Sequence, residues 1–188
     1  LAKMRNLGEA CTAANRFYIH EEVAKEFTTK FTAAMGALKM GDGTDPSVDV
    51  GPLVNADTRD QVAAFVDDAV AKGATVELGG KAPDGVGFYY PPTVLSNVPQ
   101  NADCVSDEIF GPVAAIQTFT NQDEVIARAN DTEYGLVAYV FSEDMKRALQ
   151  VCERLDYGMV GLNRGLISDP AAPFGGTKQS GLGREGGH

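Results

Sequence analysis

With 188 residues, 44% hydrophobic and 22% charged, the sequence is long enough for one substantial hydrophobic core and falls in the ordinary globular range. The 16 basic and 26 acidic residues leave a formal net charge of -10, and the basic ones are scattered, which excludes the basic footprint of a nucleic-acid or anionic-lipid binder. No apolar run reaches the roughly 18 residues that span a bilayer, residues 1–6 show no leader pattern, and three widely spaced cysteines without C-x-x-C suit neither a disulfide framework nor a zinc site. A soluble protein of the reducing cytoplasm, without a metal site, is expected.

Residues 16–20, Arg-Phe-Tyr-Ile-His, read as a short strand. Over residues 21–40 apolar positions recur at Val23, Phe27, Phe31, Met35 and Leu38, which predicts an amphipathic helix with Glu21 and Glu22 at its positive end. A second helix is expected after Asn55, capped by Asp57, with Val62, Phe65, Val66, Ala69 and Val70 on its apolar face and Gly73 as its stop. Thr75–Leu78 reads as a strand broken by Gly79-Gly80. Residues 88–95 contain Pro91-Pro92, and proline cannot donate into a central ladder, so edge structure is expected there. Strand Val113–Phe119, helix 122–132, strand 136–141, helix 143–155 and strand 159–163 then alternate over short links, the pattern of right-handed crossovers. The expected class is α/β, helices flanking a parallel sheet. Residues 168–188 are rich in glycine and proline without apolar period and read as a loop; one so long is usually functional or disordered.

Chemistry centres on Arg5-Asn6-Leu7-Gly8-Glu9-Ala10-Cys11-Thr12-Ala13-Ala14-Asn15-Arg16. Gly8 permits a tight turn, and the small neighbours Ala10, Thr12, Ala13 and Ala14 let backbone amides approach the sulfur of Cys11. A short helical turn starting at Cys11 would favour its thiolate, with Arg5 and Arg16 adding positive potential. The competing reading is a buried structural cysteine. A histidine base would have to be His20. The glycine-rich tail alone is compatible with a phosphate cradle, although it lacks Walker spacing.

The run from Met4 to Asn15 resembles the cysteine motif of the aldehyde dehydrogenases, in which Cys11 is the nucleophile; Met4 replaces a usual aromatic residue and Glu9 is the rarer of two alternatives. Glu108-Ile109-Phe110-Gly111-Pro112 resembles that family's cofactor-contacting segment, which makes Glu108 a ligand of the nicotinamide ribose hydroxyls and Phe110 a neighbour of the nicotinamide ring of NAD or NADP. Taken alone, the segment reads more readily as a solvated glutamate before a strand, with Phe110 in the core. Residues 173–185, starting at Pro173-Phe174-Gly175-Gly176, resemble the substrate-mouth loop, with Phe174 lining it.

Arg5 and Ser180 match the positions that bind the distal carboxylate in the succinate-semialdehyde dehydrogenases of the family, and a guanidinium with a hydroxyl supplies the right donors. The resemblance implies a small carboxylate-bearing aldehyde as substrate, oxidised through a thiohemiacetal and a thioester. It also implies that residues 1–188 are the catalytic domain. A dinucleotide-binding domain, a general base and a terminal oligomerisation strand would lie outside it, and the whole enzyme would be a homo-oligomer. Glu77-Leu78-Gly79-Gly80 spells the general-base motif but lies on the wrong side of Cys11 and is taken as coincidence. Ala13 stands where some relatives carry a redox-switch cysteine. A CoA-acylating or acyl-phosphate-reducing relative and a non-catalytic binding module are the alternatives.

Overall fold

A computed structural model of the chain describes residues 1–187; His188, the last position of the expected 168–188 loop, lies outside the described residues. Two compact units form, one over Lys3–Thr120 and one from Leu1–Ala2 with the residues from Asn121 on.

In the larger unit, strands β1 (Arg16–His20), β2 (Thr75–Leu78), β3 (Thr93–Ser96) and β4 (Val113–Phe119) pair in the order β1-β4-β3-β2, with helices α1 (Glu21–Gly36), α2 (Ala56–Ala71) and α3 (Asp103–Ser106). β1, β4 and β3 run parallel, and β2 runs antiparallel to β3. The two-residue period of a strand sends neighbouring side chains to opposite faces. Thus Leu95 and Ala115 join a core with Val62, Phe65, Val66 and Ala69 of α2, while Val94 and Ile116 join another with Met35, Phe27 and Phe31 of α1. Each fully buried Val or Phe contributes on the order of 1.5–3 kcal/mol. Helices therefore flank a mostly parallel sheet, as expected.

Four local expectations need correction. β3 is an interior strand with all four residues buried; Pro91-Pro92 precede it instead of interrupting it, so its N–H groups remain available to both neighbours. α2 is capped by Asn55, whose side chain accepts from Thr58 N–H at 2.8 Å, and Asp57 sits inside the first turn. Val70 is 43% exposed, because the buried stripe of α2 is carried by Val62, Phe65, Val66 and Ala69. α1 stops at Gly36, although Leu38 still packs on its cluster.

The smaller unit holds α4 (Gln122–Asn130), β5 (Tyr134–Gly135), β6 (Val137–Val140), α5 (Met145–Arg154), β7 (Met159–Leu162) and β8 (Thr177–Lys178). β6 and β7 are parallel, joined through α5. β4 pairs only within the larger unit, so the run of strands and helices read from the sequence is shared between two sheets. The tail is more ordered than a plain loop: β8 pairs with β5, and Phe174 bridges Glu185. Lys178 Nζ donates to the carbonyls of Asn130 (2.8 Å) and Thr132 (3.3 Å), and Arg184 Nη1 to those of Gly176 and Gly183 at 2.8 and 2.9 Å. Charged donors that satisfy carbonyls in this way replace the apolar packing the tail lacks.

Candidate active site

The segments that carry Cys11 and Glu108 meet because each lies just before one of two adjacent parallel strands. Arg16 of β1 is in register with Ala115 of β4, and the chain runs back from these partners to Cys11 and to Glu108. The site residues of the larger unit thus gather at the amino-terminal end of the sheet.

Two ties hold the cysteine loop to the 108–112 segment. On one side Gly8, buried and at φ +90°, lies so close to Gly111 that a Cβ on Gly8 would stand 2.2 Å from the Gly111 carbonyl oxygen. On the other, Asn15 Nδ2 donates to the carbonyls of Asp107 (2.9 Å) and Cys104 (3.2 Å), and Ile109 N–H donates to Asn15 Oδ1 at 2.9 Å. Sequence reasoning passed over Asn15 as a functional residue. Its only signal was an amide four residues beyond the nucleophile, and its partners lie 89–94 positions away.

Between these ties Cys11 is exposed on a turn closed by Ala13 N–H to Ala10 C=O at 2.9 Å. The expected helical turn does not form: residues 14–15 run directly into β1 and no helix starts at Cys11, so a helix dipole does not act on its sulfur. Arg5 is exposed, and Arg16 Nη1 reaches Tyr18 Oη at 3.3 Å. Met4 packs against the α1 cluster and Leu7 against the α2 cluster, so the loop straddles the sheet end. Glu9 Oε1 accepts from Val54 N–H at 3.2 Å.

In the partner segment Ile109 is 1% exposed, and this anchor leaves Glu108 and Phe110 facing outward, Phe110 at φ +49° and 39% exposed. A carboxylate and an aromatic ring held out on either side of a buried anchor fit a ribose diol and a flat heteroaromatic ring. Partial burial pushes the Glu108 carboxyl up, and the Lys3 ammonium pulls it back. Lys3 is buried at 3% exposed, and burial draws it down to about 7 against the opposing pull of Glu108 and Cys104. It is a second residue that sequence reasoning missed, since a lysine is by default solvated.

Phe174 and Ser180 belong to the smaller unit. Ser180 Oγ accepts from Gly135 N–H at 3.0 Å, which orients the hydroxyl and leaves its proton to donate. Phe174 is half-buried, held by its paired backbone bonds with Glu185 at 2.8 Å. Glu77 accepts from Ser96 Oγ and lines a groove of about 630 Å³ with Thr28, Asn97 and Thr118, away from Cys11. That placement agrees with reading its motif as coincidence. Among the described residues no cluster of three or more His, Cys, Asp or Glu side chains is placed to hold a metal ion, and no helix is long and apolar enough to cross a membrane.

The three thiols differ in access, and alkylation is expected to follow that order. Cys11 is exposed, whereas Cys104 is buried, its thiol pushed up to about 11 by burial first and Asp68 second, and Cys152 is half-buried and also raised. Iodoacetamide at neutral pH, followed by peptide mass mapping, should label Cys11 at least tenfold faster than Cys104, because only an accessible thiolate reacts. Equal rates would undo the distinction.

The larger unit is thus an α/β fold in which the loop of an exposed cysteine is tied to a segment that carries an outward carboxylate and an aromatic ring. The chain belongs to the aldehyde dehydrogenase family, whose pattern it matches over residues 1–188. It is 59% identical over 186 residues to a succinate-semialdehyde dehydrogenase of Paenarthrobacter nicotinovorans, an alignment covering 99% of this chain and 41% of that protein. It is 47% identical over 186 residues to a glutarate-semialdehyde dehydrogenase of Pseudomonas aeruginosa, covering 99% and 38%. Its structure superposes on succinate-semialdehyde dehydrogenase from Burkholderia pseudomallei with a TM-score of 0.97 at 46% identity, covering 99% of this chain and 39% of that one. The chain thus spans about two fifths of the length of the relatives it matches.

Proposed function

We propose that the chain is the cysteine-bearing catalytic domain of a longer NAD- or NADP-dependent aldehyde dehydrogenase that oxidises a carboxylate-bearing aldehyde, succinic semialdehyde foremost. The observation that carries this reading is the exposed Cys11 tied through Gly8 and Asn15 to the segment bearing Glu108 and Phe110. In the proposed reaction the Cys11 thiolate adds to the aldehyde carbon. A C–S bond forms, and the carbonyl oxygen becomes an oxyanion that the Cys11 backbone N–H stabilises, an oxyanion donor being worth ~3–4 kcal/mol. Glu108 would hold the ribose hydroxyls of NAD(P)+ and Phe110 its ring, and the cofactor would supply the hydride acceptor. Loss of hydride from carbon converts the thiohemiacetal to a thioester, and water cleaves the C–S bond to give the acid and regenerate Cys11.

The general base and most of the dinucleotide site are assigned to the remainder of the longer polypeptide, so residues 1–188 alone are expected to be inactive. The whole enzyme is proposed to be a homo-oligomer of a reducing, cytoplasmic compartment, which suits three free thiols.

Arg5 and Ser180 are assigned to the distal carboxylate, supported by the exposed position of Arg5 and by the hydroxyl proton that the Gly135 bond leaves available. Arg5→Ala in the full-length protein should lower kcat/KM for succinic semialdehyde by about 100-fold, and Ser180→Ala by about 10-fold, consistent with ~1.5–3 kcal/mol for a hydrogen bond to a charged group. Steady-state kinetics with an uncharged aldehyde of equal length should show neither loss. Parallel losses on both aldehydes would remove the carboxylate assignment. Glutaric semialdehyde in the same assay reads out chain-length preference.

A further inference from the structure

Glu108 lies in residues 107–110, a stretch outside any helix or strand, so no ladder sets the backbone from which its carboxylate projects. The side chain of Asn15 takes that part. Its Nδ2 donates to the Asp107 carbonyl at 2.9 Å, and its Oδ1 accepts from Ile109 N–H at 2.9 Å. These two groups belong to the peptide planes that flank Glu108, one before its Cα and one after. Each plane is rigid, so φ and ψ of Glu108 are the only freedoms between them, and one planar amide that grips both planes restricts the two dihedrals together. Nδ2 also donates to the Cys104 carbonyl at 3.2 Å, which brings the end of α3 into the same grip. The other end of α3 is fixed separately to α2: Asp103 N–H donates to Asp68 Oδ2 and Lys72 Nζ to Asp103 Oδ1, both at 2.8 Å. Two donors and one acceptor on so short a stem are what an asparagine offers; aspartate lacks the donors, and serine has only one.

We infer that Asn15 is a positioning residue for the dinucleotide: by clamping the peptide groups on either side of Glu108 it aims that carboxylate at the ribose hydroxyls. The inference rests on the reading of Glu108 as a cofactor ligand. Two hydroxyls are met at once only by a carboxylate already held in one orientation, and an exposed glutamate on a loose backbone would lose that freedom on binding. Asn15 stands four residues beyond Cys11, so the side chain that closes the cysteine loop also sets the ribose contact, and the two halves of the site are placed relative to each other by one amide.

The test is calorimetric titration of the full-length protein with NAD+ and with NADP+, comparing wild type, Asn15→Ala, Asn15→Asp, Glu108→Ala and the Asn15→Ala/Glu108→Ala double variant. Asn15→Ala should raise the dissociation constant of the preferred cofactor about tenfold. Asn15→Asp keeps the size and the acceptor for Ile109 but loses both donors, and should raise it about threefold or more; it carries the test alone should Asn15→Ala fail to fold. Glu108→Ala should weaken binding at least as much as Asn15→Ala, and the double variant no further than Glu108→Ala. In steady state the cofactor KM should rise in both Asn15 variants, while the aldehyde KM and the rate of Cys11 alkylation keep their wild-type values. If Glu108→Ala binds cofactor normally, the reading of Glu108 falls and the inference with it. The inference alone is overturned if Glu108→Ala is impaired while the Asn15 variants bind normally, if the losses multiply in the double variant, or if cofactor KM, aldehyde KM and Cys11 alkylation all shift together, as a collapsed loop would make them do.

Discussion

Gly8→Ala is expected to destabilise the chain by about 3 kcal/mol and to lower its Tm by about 6–12 °C. Two costs combine. At φ +90° an L-residue bears roughly 1–2 kcal/mol of backbone strain. The added methyl would then stand 2.2 Å from the Gly111 oxygen and 2.7 Å from its carbonyl carbon, atoms of a main chain that cannot rotate away. Nor can Gly111 retreat freely, since a Cβ at its own position would lie 2.6 Å from Cγ2 of Val62, a fully buried residue of α2. Overpacking of this kind adds roughly 1–3 kcal/mol. Gly73→Ala is the control: it has φ +109° with nothing within 4 Å of the added methyl, so only the backbone cost applies. Calorimetric unfolding of the two variants should separate them by at least 1 kcal/mol. Equal losses would mean that the Gly8–Gly111 approach is not a tie that orders the cysteine loop.

Cys11→Ala should abolish turnover in the full-length enzyme, with a loss on the order of 10^4-fold or more in kcat. A free aldehyde is a poor hydride donor, and the sulfur is what converts its carbon to one carrying an alkoxide. No other described thiol can substitute: Cys104 is buried beneath α2, and Cys152 lies on α5 in the smaller unit. The substitution leaves Gly8, Asn15 and Glu108 in place, so cofactor binding should be retained while chemistry is lost.

The parts legible in the sequence were those governed by local periodicity. β4 matched its expected bounds because apolar and β-branched residues fill it between Pro112 and the break at Thr120, and β2 because Gly79 and Gly80 end it. Cys11, Glu108 and Phe110 were picked out by motif resemblance, and the β1–β4 register brings the segments that carry them to one end of the sheet. What stayed hidden depends on distant partners. The burial of β3 follows from β2 and β4 on either side, which the two prolines before it do not reveal. Asn15 takes its meaning from Cys104, Asp107 and Ile109, pairings that leave no local pattern. Asn55 and Asp57 are both competent caps by type, and only the backbone, extended at Asn55 with φ -161°, decides between them.

In the proposed reaction Cys11 carries the acyl group. The most direct measurement is acid quenching of the full-length enzyme during turnover of succinic semialdehyde, followed by peptide mass mapping beside the Cys11→Ala variant. A succinyl thioester on the Cys11 peptide, labile to hydroxylamine, is expected, with neither adduct nor turnover in the variant. An acyl group found on another residue, or turnover that survives in Cys11→Ala, would contradict that role.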